Sequence, residues 1–156
     1  MPARSWSPDP AAATGWLRGT VRTVRYQVTA ADSVRRLAGR SVEFARKPDV
    51  VASARLLELC EWPCMDAVRD AIAPAECSLG ARQHLDHQAP IAIGAELTIT
   101  ARCTVATHSY SEWEVDVHDG HEVVGQATLA FVVVDQDTFE RQRLRPKTTS
   151  AIPKTA

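Results

Sequence analysis

The sequence lacks the features that would place the protein in a membrane or on nucleic acid. It contains no run of about 18 apolar residues, so no transmembrane helix is expected. Its first residues include no continuous apolar segment of a signal peptide, which predicts a cytoplasmic protein. Lys and Arg number 18 against 19 Asp and Glu, so the net charge of -1 offers no general attraction for nucleic acid or anionic lipid.

Cysteine is scarce, and its spacing shows no metal or disulfide pattern. The four cysteines are Cys60, Cys64, Cys77 and Cys103. They form no CxxC pair of the kind found in zinc sites, and their spacing does not match a disulfide framework. We therefore expect reduced thiols, mostly buried, and no metal site.

The length of 156 residues is typical of a single domain with a substantial core. Residues 1–18 are rich in Pro, Ala and Ser and are interpreted as a disordered N-terminal tail. Residues 19–139 contain the periodic patterns and are predicted to form the domain. Residues 140–156 are basic and polar and are interpreted as a C-terminal tail.

One stretch, residues 48–73, is long and apolar enough to be a core helix, because its apolar residues recur at spacings of three, four and seven. Glu61 lies in the most apolar part of it, directly before Trp62. Pro63 is awkward in a helix, where it removes a hydrogen bond at a cost of about 3 kcal/mol. We expect a kink near Leu59 or two shorter helices that meet at Trp62 and Pro63.

The rest of the domain follows the period of two that is typical of strands. The predicted strands cover residues 19–29, 77–87, 95–106, 111–118 and 122–134. Asp119-Gly120 predicts a two-residue hairpin turn. A strand, a long helix and four antiparallel strands indicate an α+β protein with one helix packed on one sheet. This order suggests a hotdog fold, in which the sheet wraps a central helix.

Several side chains in and after the helix are candidates for chemistry. Glu61 is either a base or nucleophile with a raised pKa or a solvated carboxylate, and His87 is either a proton carrier or a surface histidine. Ser53 is either a hydroxyl that contacts substrate or the N-cap of the helix. Gly80 either leaves a backbone N–H open for an oxyanion or marks a β-bulge.

A resemblance favours the functional interpretations. The stretch PDVVAS…LCEWPCMDAV…ECSLGARQHLDH resembles the fluoroacetyl-CoA-specific thioesterase family of hotdog enzymes. Its motifs are A-[ST]-x7-E-W, then S-L-G, then a histidine seven residues past the glycine. By this similarity Ser53 occupies the position of a family threonine, Glu61 that of the catalytic glutamate, and His87 that of the catalytic histidine. Gly80 occupies the position of a glycine near the thioester.

The resemblance, which runs from about Gly19 to Lys147, implies hydrolysis of an acyl thioester. It implies that acyl-CoA or an acyl carrier protein is the substrate or partner. It also implies a site between subunits, and hence a homodimer or a dimer of dimers. No metal or organic cofactor is implied, since coenzyme A or phosphopantetheine would belong to the substrate.

Two of three compared positions depart from the branch of the family that recognises fluoroacetate. Phe44 and Lys47 match two lid phenylalanines, of which only Phe44 is kept, and Phe131 stands where that branch has an arginine in the last strand. These residues are candidates for substrate binding. The departures predict that fluoroacetyl-CoA is a poor substrate.

Two other functions fit a hotdog domain. An enoyl-thioester hydratase or dehydratase typically uses an Asp-x-Asn-x-x-His-like stretch, and the chain contains no asparagine. A non-catalytic protein that binds acyl thioesters or small ligands is the other alternative. It would be favoured by a Glu61 that is ionised, exposed and dispensable.

Overall fold

The computed structural model describes residues 17–149, which form an α+β domain with one long helix on one antiparallel sheet. Two 3₁₀ turns, Ala30–Asp32 and Val34–Leu37, follow the first strand. The strands are β1 (Val21–Gln27), β2 (Glu76–His87), β3 (Glu96–Ala106), β4 (Tyr110–His118) and β5 (Val123–Asp135). The helices are α1 (Val42–Ala45), α2 (Ser53–Arg69), α3 (Gln136–Phe139), a π-helical segment (Glu140–Leu144) and α4 (Arg145–Thr149).

The five strands pair in the order β1-β3-β4-β5-β2, and every pair is antiparallel. Strands β3, β4 and β5 form a meander, which leaves β1 and β2 at the two edges. The period-two alternation turns one set of side chains, including Ile99, Trp113 and Leu129, into the core with α2. The fold prediction is thus confirmed.

Helix α2 runs without a break through Pro63, so the two-helix alternative is wrong. Proline cannot donate to the Leu59 carbonyl, but its ring is buried in the core together with Cys60 and Cys64. Burial of this apolar ring offsets part of the lost hydrogen bond. The three residues belong to a buried face that continues through Ala67.

Strand β2 contains a β-bulge directly after Gly80. Gly80 pairs with Phe131 of β5, and the next pair joins Arg82 to Ala130, so Ala81 is the extra residue. An extra residue reverses the faces of all side chains beyond it, because side chains alternate along a strand. In the second half of β2, the side chains that face α2 are therefore those that would point away from it in a regular strand.

The limits of the domain differ from the predicted ones. Residues 1–16 of the predicted N-terminal tail lie outside the described residues, whereas Leu17 is 1% exposed and belongs to the core. Residues 136–149 are helical, so the part of the predicted C-terminal tail that the structure describes has regular structure. The β4–β5 connection is four residues long, because β4 ends at His118 and β5 starts at Val123. No helix within residues 17–149 is long and apolar enough to cross a bilayer.

Candidate active site

One edge of α2 faces β2 and carries two of the predicted site residues. Ser53, Leu57 and Glu61 are spaced by four residues, so they form a stripe along one side of the helix. Leu57 is half-buried and packs on the core, which fixes the orientation of the stripe. Ser53 and Glu61 thus lie at the two ends of a groove between α2 and β2.

The bulge selects the side chains of β2 that face this groove. Beyond Ala81, Gln83 pairs with Leu129 and His87 pairs with Gly125, on the core side of the sheet. His84 and Asp86 point to the opposite face, where His84 Nε2 lies 3.5 Å from Asp86 Oδ2. If the same residues formed a regular strand with no bulge, this pair would face α2 instead.

At one end of the groove, Ser53 Oγ lies 2.8 Å from His87 Nδ1. Ser53 is the first residue of α2, and the N-cap is Ala52, which makes no side-chain cap bond. The N-cap interpretation of Ser53 is therefore wrong, because its hydroxyl is bound to the imidazole instead. Burial lowers the pKa of His87, and an interaction with the Ala89 backbone offsets part of this effect. The other ring nitrogen, Nε2, is buried and has no hydrogen-bond partner among the described residues.

At the other end, Gln83 Nε2 donates to Glu61 Oε1 at 3.4 Å. Glu61 is half-buried, and burial raises its pKa. The Gln83 amide lowers this pKa by stabilising the carboxylate, and the nearby charge of Glu58 raises it further. Glu61 therefore holds a proton more readily than an exposed glutamate does, as a proton acceptor near neutral pH requires.

Gly80 lets the Gln83 amide and this carboxylate approach the backbone of β2 closely. A Cβ atom at Gly80 would lie 2.4 Å from Gln83 Nε2 and 3.3 Å from Glu61 Oε1. The first distance is shorter than any normal contact, so the two polar groups fit only because residue 80 has no side chain. The prediction that Gly80 marks a bulge is confirmed, because the bulge directly follows it. Its backbone N–H as a donor to an oxyanion stays a prediction.

The two ends of the groove are separate within one chain. Glu61 follows Ser53 by eight positions in α2, which is about 12 Å along the helix axis. The structure thus brings Ser53 to His87 and Glu61 to Gly80, but it does not bring Glu61 to His87.

The three predicted substrate-binding residues occupy different environments. Phe131 is 1% exposed and packs in the core with Leu129 and Val133, on the same face as its strand partner Gly80. Phe44 is half-buried in α1, and Lys47 is exposed beyond it. The lid role of Phe44 and Lys47 stays a prediction.

Sequence patterns did not single out Gln83. The only signal was its place between Gly80 and His87, and a regular strand would turn it away from the helix. Gly80 was a possible signal for the bulge, but a glycine does not require one, so the face of Gln83, and with it the partner of Glu61, could be found only from the structure.

A buried charge network beside α2 was also missed. Asp32 is 1% exposed, and its carboxylate accepts from Arg55 Nε at 2.7 Å and from the Tyr26 hydroxyl at 2.9 Å. Burial alone would raise the pKa of Asp32, but hydrogen bonds from the Thr29 amide, Arg55 and Tyr26 outweigh burial and hold this pKa below its usual value. The network joins the turn after β1 to the first turns of α2, so it supports the Ser53 end of the groove.

The described residues show no metal-binding cluster. Within residues 17–149, no three His, Cys, Asp or Glu side chains are grouped so that they could hold a metal ion. The four cysteines are free, and burial raises the pKa of the Cys60 thiol to about 12.

Comparison with known proteins identifies the class. Residues 28–137 match the family model described as fluoroacetyl-CoA-specific thioesterase. The chain is 33% identical over 116 residues to the fluoroacetyl-CoA thioesterase of Streptantibioticus cattleyicolor, a match that covers 74% of this chain and 83% of that protein.

Solved structures agree with this assignment. A structure of the fluoroacetyl-CoA thioesterase matches with a TM-score of 0.78 and 28% identity over 86% of this chain and 96% of that one. A hot-dog-like protein from Thermanaerovibrio acidaminovorans shares the fold, with a TM-score of 0.70 and 21% identity over 86% of this chain and 93% of that one.

The fold and these relatives define a hotdog-fold thioesterase, an enzyme that hydrolyses acyl thioesters. The chain belongs to the fluoroacetyl-CoA-specific thioesterase family. Membership favours hydrolysis over the hydratase and the non-catalytic alternatives.

Proposed function

We propose that the protein hydrolyses an acyl-CoA whose acyl group is larger and more apolar than fluoroacetyl, with Glu61 as the catalytic carboxylate. One observation supports this most directly: Glu61 is half-buried with a raised pKa, and its Oε1 lies 3.3 Å from the position that a Cβ atom of residue 80 would take, so it faces the bare backbone at Gly80. A thioester carbonyl bound at Gly80 would lie beside the carboxylate. An acyl carrier protein as the thioester donor is the alternative partner.

The reaction needs only groups that this chain supplies. Glu61 accepts a proton from water as the water oxygen bonds to the thioester carbonyl carbon, and a backbone N–H near Gly80 stabilises the oxygen that becomes negative. The C–S bond then breaks, and the thiolate leaves and takes up a proton. In the nucleophilic version the Glu61 oxygen attacks first, and water opens the resulting anhydride. Neither version uses a metal or an organic cofactor, so we propose that none is required.

We propose that the complete site forms in a homodimer. Strand β2 lies at the sheet edge, and its residues 80–84 are exposed, so a second copy can pair with it. Antiparallel pairing of two β2 strands centred on Leu85 would place residue 83 of one chain opposite residue 87 of the other. Glu61, which Gln83 holds, would then work with the imidazole from the second chain, which removes the separation of about 12 Å within one chain.

Mixing two inactive variants tests this arrangement. Glu61→Gln and His87→Ala are each expected to lower kcat/KM at least about 100-fold. Refolding the two variants together gives mixed dimers. If the site crosses the interface, one of the two sites in a mixed dimer has both wild-type groups, and activity returns to a fraction of the wild-type value. If each site lies within one chain, the mixture stays inactive. A single-chain mass in light scattering would contradict the dimer.

The departures at Phe131 and Lys47 support the proposed acyl preference. Phe131 packs an apolar ring in the core, on the same face of the sheet as Gly80, at the position where the resemblance places a cation in the fluoroacetate branch. A buried methylene contributes about 0.8 kcal/mol, so two or three can favour a longer acyl chain by about 10- to 100-fold. We therefore propose that this chain does not share the preference for fluoroacetyl-CoA that the names of its relatives state.

A panel of fluoroacetyl-, acetyl-, butyryl-, isovaleryl- and phenylacetyl-CoA, with release of free thiol as the measurement, tests the preference. Fluoroacetyl-CoA is expected to rank low in kcat/KM, and its ranking first would contradict the proposal. Glu61→Gln with unchanged circular dichroism is the control for background hydrolysis. Phe131→Leu should weaken discrimination among the larger substrates, whereas Phe131→Arg would place a cation in the core and needs a stability control.

A cytoplasmic location is part of the proposal. All four cysteines are free although three of them are buried, as expected in a reducing compartment.

A further inference from the structure

Positive charge is concentrated in one short segment just before α2. Residues 35–47, called here the basic segment, contain five of the 18 basic residues and one of the 19 acidic ones. Its formal charge is therefore +4, and the rest of the chain carries -5. The five basic residues are all exposed: Arg35, Arg36, Arg40, Arg46 and Lys47.

Most of these charges are not neutralised. Arg46 pairs with Glu43 at 3.3 Å, but no ion pair to the other four basic residues is found within residues 17–149. The closest acidic neighbours in sequence are occupied elsewhere, since Asp32 binds Arg55 and Asp49 accepts from the Ser33 hydroxyl at 2.6 Å.

The backbone holds two of the guanidinium groups in place. Arg35 Nε donates to the Lys47 carbonyl at 3.1 Å, and Arg36 Nη1 donates to the Ala31 carbonyl at 3.1 Å. These bonds restrict the side chains without cancelling their charge. An ordered, unneutralised cation loses less conformational entropy when it binds an anion.

The basic segment borders the Ser53 end of the groove. Val34 N donates to the Val50 carbonyl at 2.8 Å, so the start of the segment is attached to the residues that lead into α2. Arg36 lines a cavity of about 200 Å³ with Ala52 and Ala54, the two neighbours of Ser53. Two acidic residues, Asp32 and Glu58, also line it, and both pair with Arg55. A thioester at Glu61 would lie about 12 Å along α2 from Ser53, a span that the extended pantetheine arm of coenzyme A can bridge.

We propose that the basic segment binds the phosphate groups of coenzyme A and so selects acyl-CoA as the substrate of this thioesterase. This inference rests on the proposed function. The 3′-phosphate and pyrophosphate of coenzyme A carry about four negative charges at neutral pH. The charge of the segment matches them, and its arginines suit the geometry of phosphate oxygens.

A second basic cluster provides a matched control. Arg141 and Lys147 are exposed and follow β5, whose last residue, Asp135, pairs with Glu76. The Glu76 carbonyl accepts from Arg69 at the far end of α2, so this cluster lies at the opposite end of the groove from Ser53. Charge loss there tests for an effect of general electrostatics alone.

The test compares three thioesters of one acyl group, carried on coenzyme A, on dephospho-coenzyme A and on pantetheine. The double variant Arg36→Gln, Arg40→Gln is expected to raise KM for acyl-CoA about tenfold, with unchanged kcat and unchanged kcat/KM for acyl-pantetheine. The effect of this double variant on acyl-dephospho-CoA should be intermediate between its effects on acyl-CoA and on acyl-pantetheine. The double variant Arg141→Gln, Lys147→Gln should leave the kinetic constants for all three thioesters unchanged. In the wild type, added salt should reduce the preference for acyl-CoA over acyl-pantetheine.

Three results would overturn the inference. The ratio of KM values for acyl-CoA and acyl-pantetheine is the same in the Arg36, Arg40 variant as in wild type, or it changes equally in the control variant. Alternatively, only hydrolysis of an acyl carrier protein depends on the arginines, which would assign the segment to a protein partner. Calorimetric titration with free coenzyme A separates this inference from the proposed function. Loss of this binding in the variant supports the phosphate site even if no thioester is hydrolysed, and unchanged binding contradicts it.

Discussion

The Ser53 hydroxyl and the His87 imidazole are hydrogen-bonded at 2.8 Å, across the groove between the start of α2 and the end of β2. When the serine donates to Nδ1 of a neutral imidazole, the ring proton lies on Nε2. Nε2 is the nitrogen that has no partner among the described residues. Ser53 thus orients the ring and leaves one N–H free for a substrate atom or for a group from a second chain.

Loss of the serine hydroxyl should therefore impair the imidazole more than the fold. Ser53→Ala is expected to lower kcat/KM about tenfold, while Ser53→Thr, which keeps the hydroxyl, should stay close to wild type. Nitrogen NMR of His87 should show a mixture of tautomers in the alanine variant and one dominant tautomer in the other two proteins. Equal activity of the alanine and threonine variants would contradict this role.

The Gln83 amide should set the pH at which Glu61 becomes active. Because its hydrogen bond lowers the raised pKa of Glu61, Gln83→Leu should raise that pKa further. The ionised carboxylate is the active form, so the acid limb of the kcat/KM profile should move to higher pH. Gln88→Leu is the control, since the Gln88 side chain binds Gln126 at 2.6 Å, and Gln126 pairs with Asp86 on the face of the sheet opposite to the groove. An acid limb that stays in place in Gln83→Leu would exclude this effect.

Gly80→Ala should act through the same pair of residues. The new methyl group would lie 2.4 Å from Gln83 Nε2, and the flexible end of that glutamine can move away at little cost to stability. We expect a thermal midpoint close to that of wild type together with a loss of activity. The pH profile should shift in the same direction as in Gln83→Leu, and the double variant should add little. Fully additive losses in the double variant would show that Gly80 acts independently of Gln83.

Asp32 should stabilise the protein in a pH-dependent way. Asp32→Asn removes one of the two carboxylates that pair with Arg55, the other being Glu58, and is expected to cost about 1–3 kcal/mol of unfolding free energy at pH 7. The folded-state pKa of Asp32 lies below its ordinary value of 3.8, so the contribution is present above that pH and is lost as the pH falls through the folded-state pKa.

Urea denaturation of both proteins at a series of pH values measures this contribution. The difference between wild type and Asp32→Asn should shrink as the pH falls below 3.8. Asp49→Asn, which alters an exposed carboxylate, is the control and should change stability by less. A difference that does not depend on pH would show that the Asp32 charge contributes nothing.

Most of the fold could be predicted from periodicity, because the sheet and helix bury one face each. The alternation that turns Ile99 and Trp113 inward is visible in the sequence, and so is the helical spacing of Cys60 and Cys64. The failures concern positions where tertiary packing overrides a local preference. Burial of Pro63 keeps α2 continuous, and the connection after His118 takes four residues in place of a two-residue turn.

The candidate site was predictable by resemblance more than by pattern. Ser53, Glu61, Gly80 and His87 all face one groove, as members of one site should. Their pairing could not be predicted, because Gln83 reaches Glu61 only through the bulge. The separation of Glu61 from His87 is likewise invisible in a sequence, which does not show where a second chain would pair.

The bulge also determines how this gene can vary. Any codon at position 81 that encodes a small residue preserves the two faces of β2, because Ala81 stands outside the regular pairing of β2 with β5. Deletion of that single codon would preserve them as well, since Gly80 would still pair with Phe131 and Arg82 with Ala130 in a regular strand. In an alignment of related genes, a one-residue gap at this column would therefore mark a strand that lacks the bulge but presents the same reactive groups.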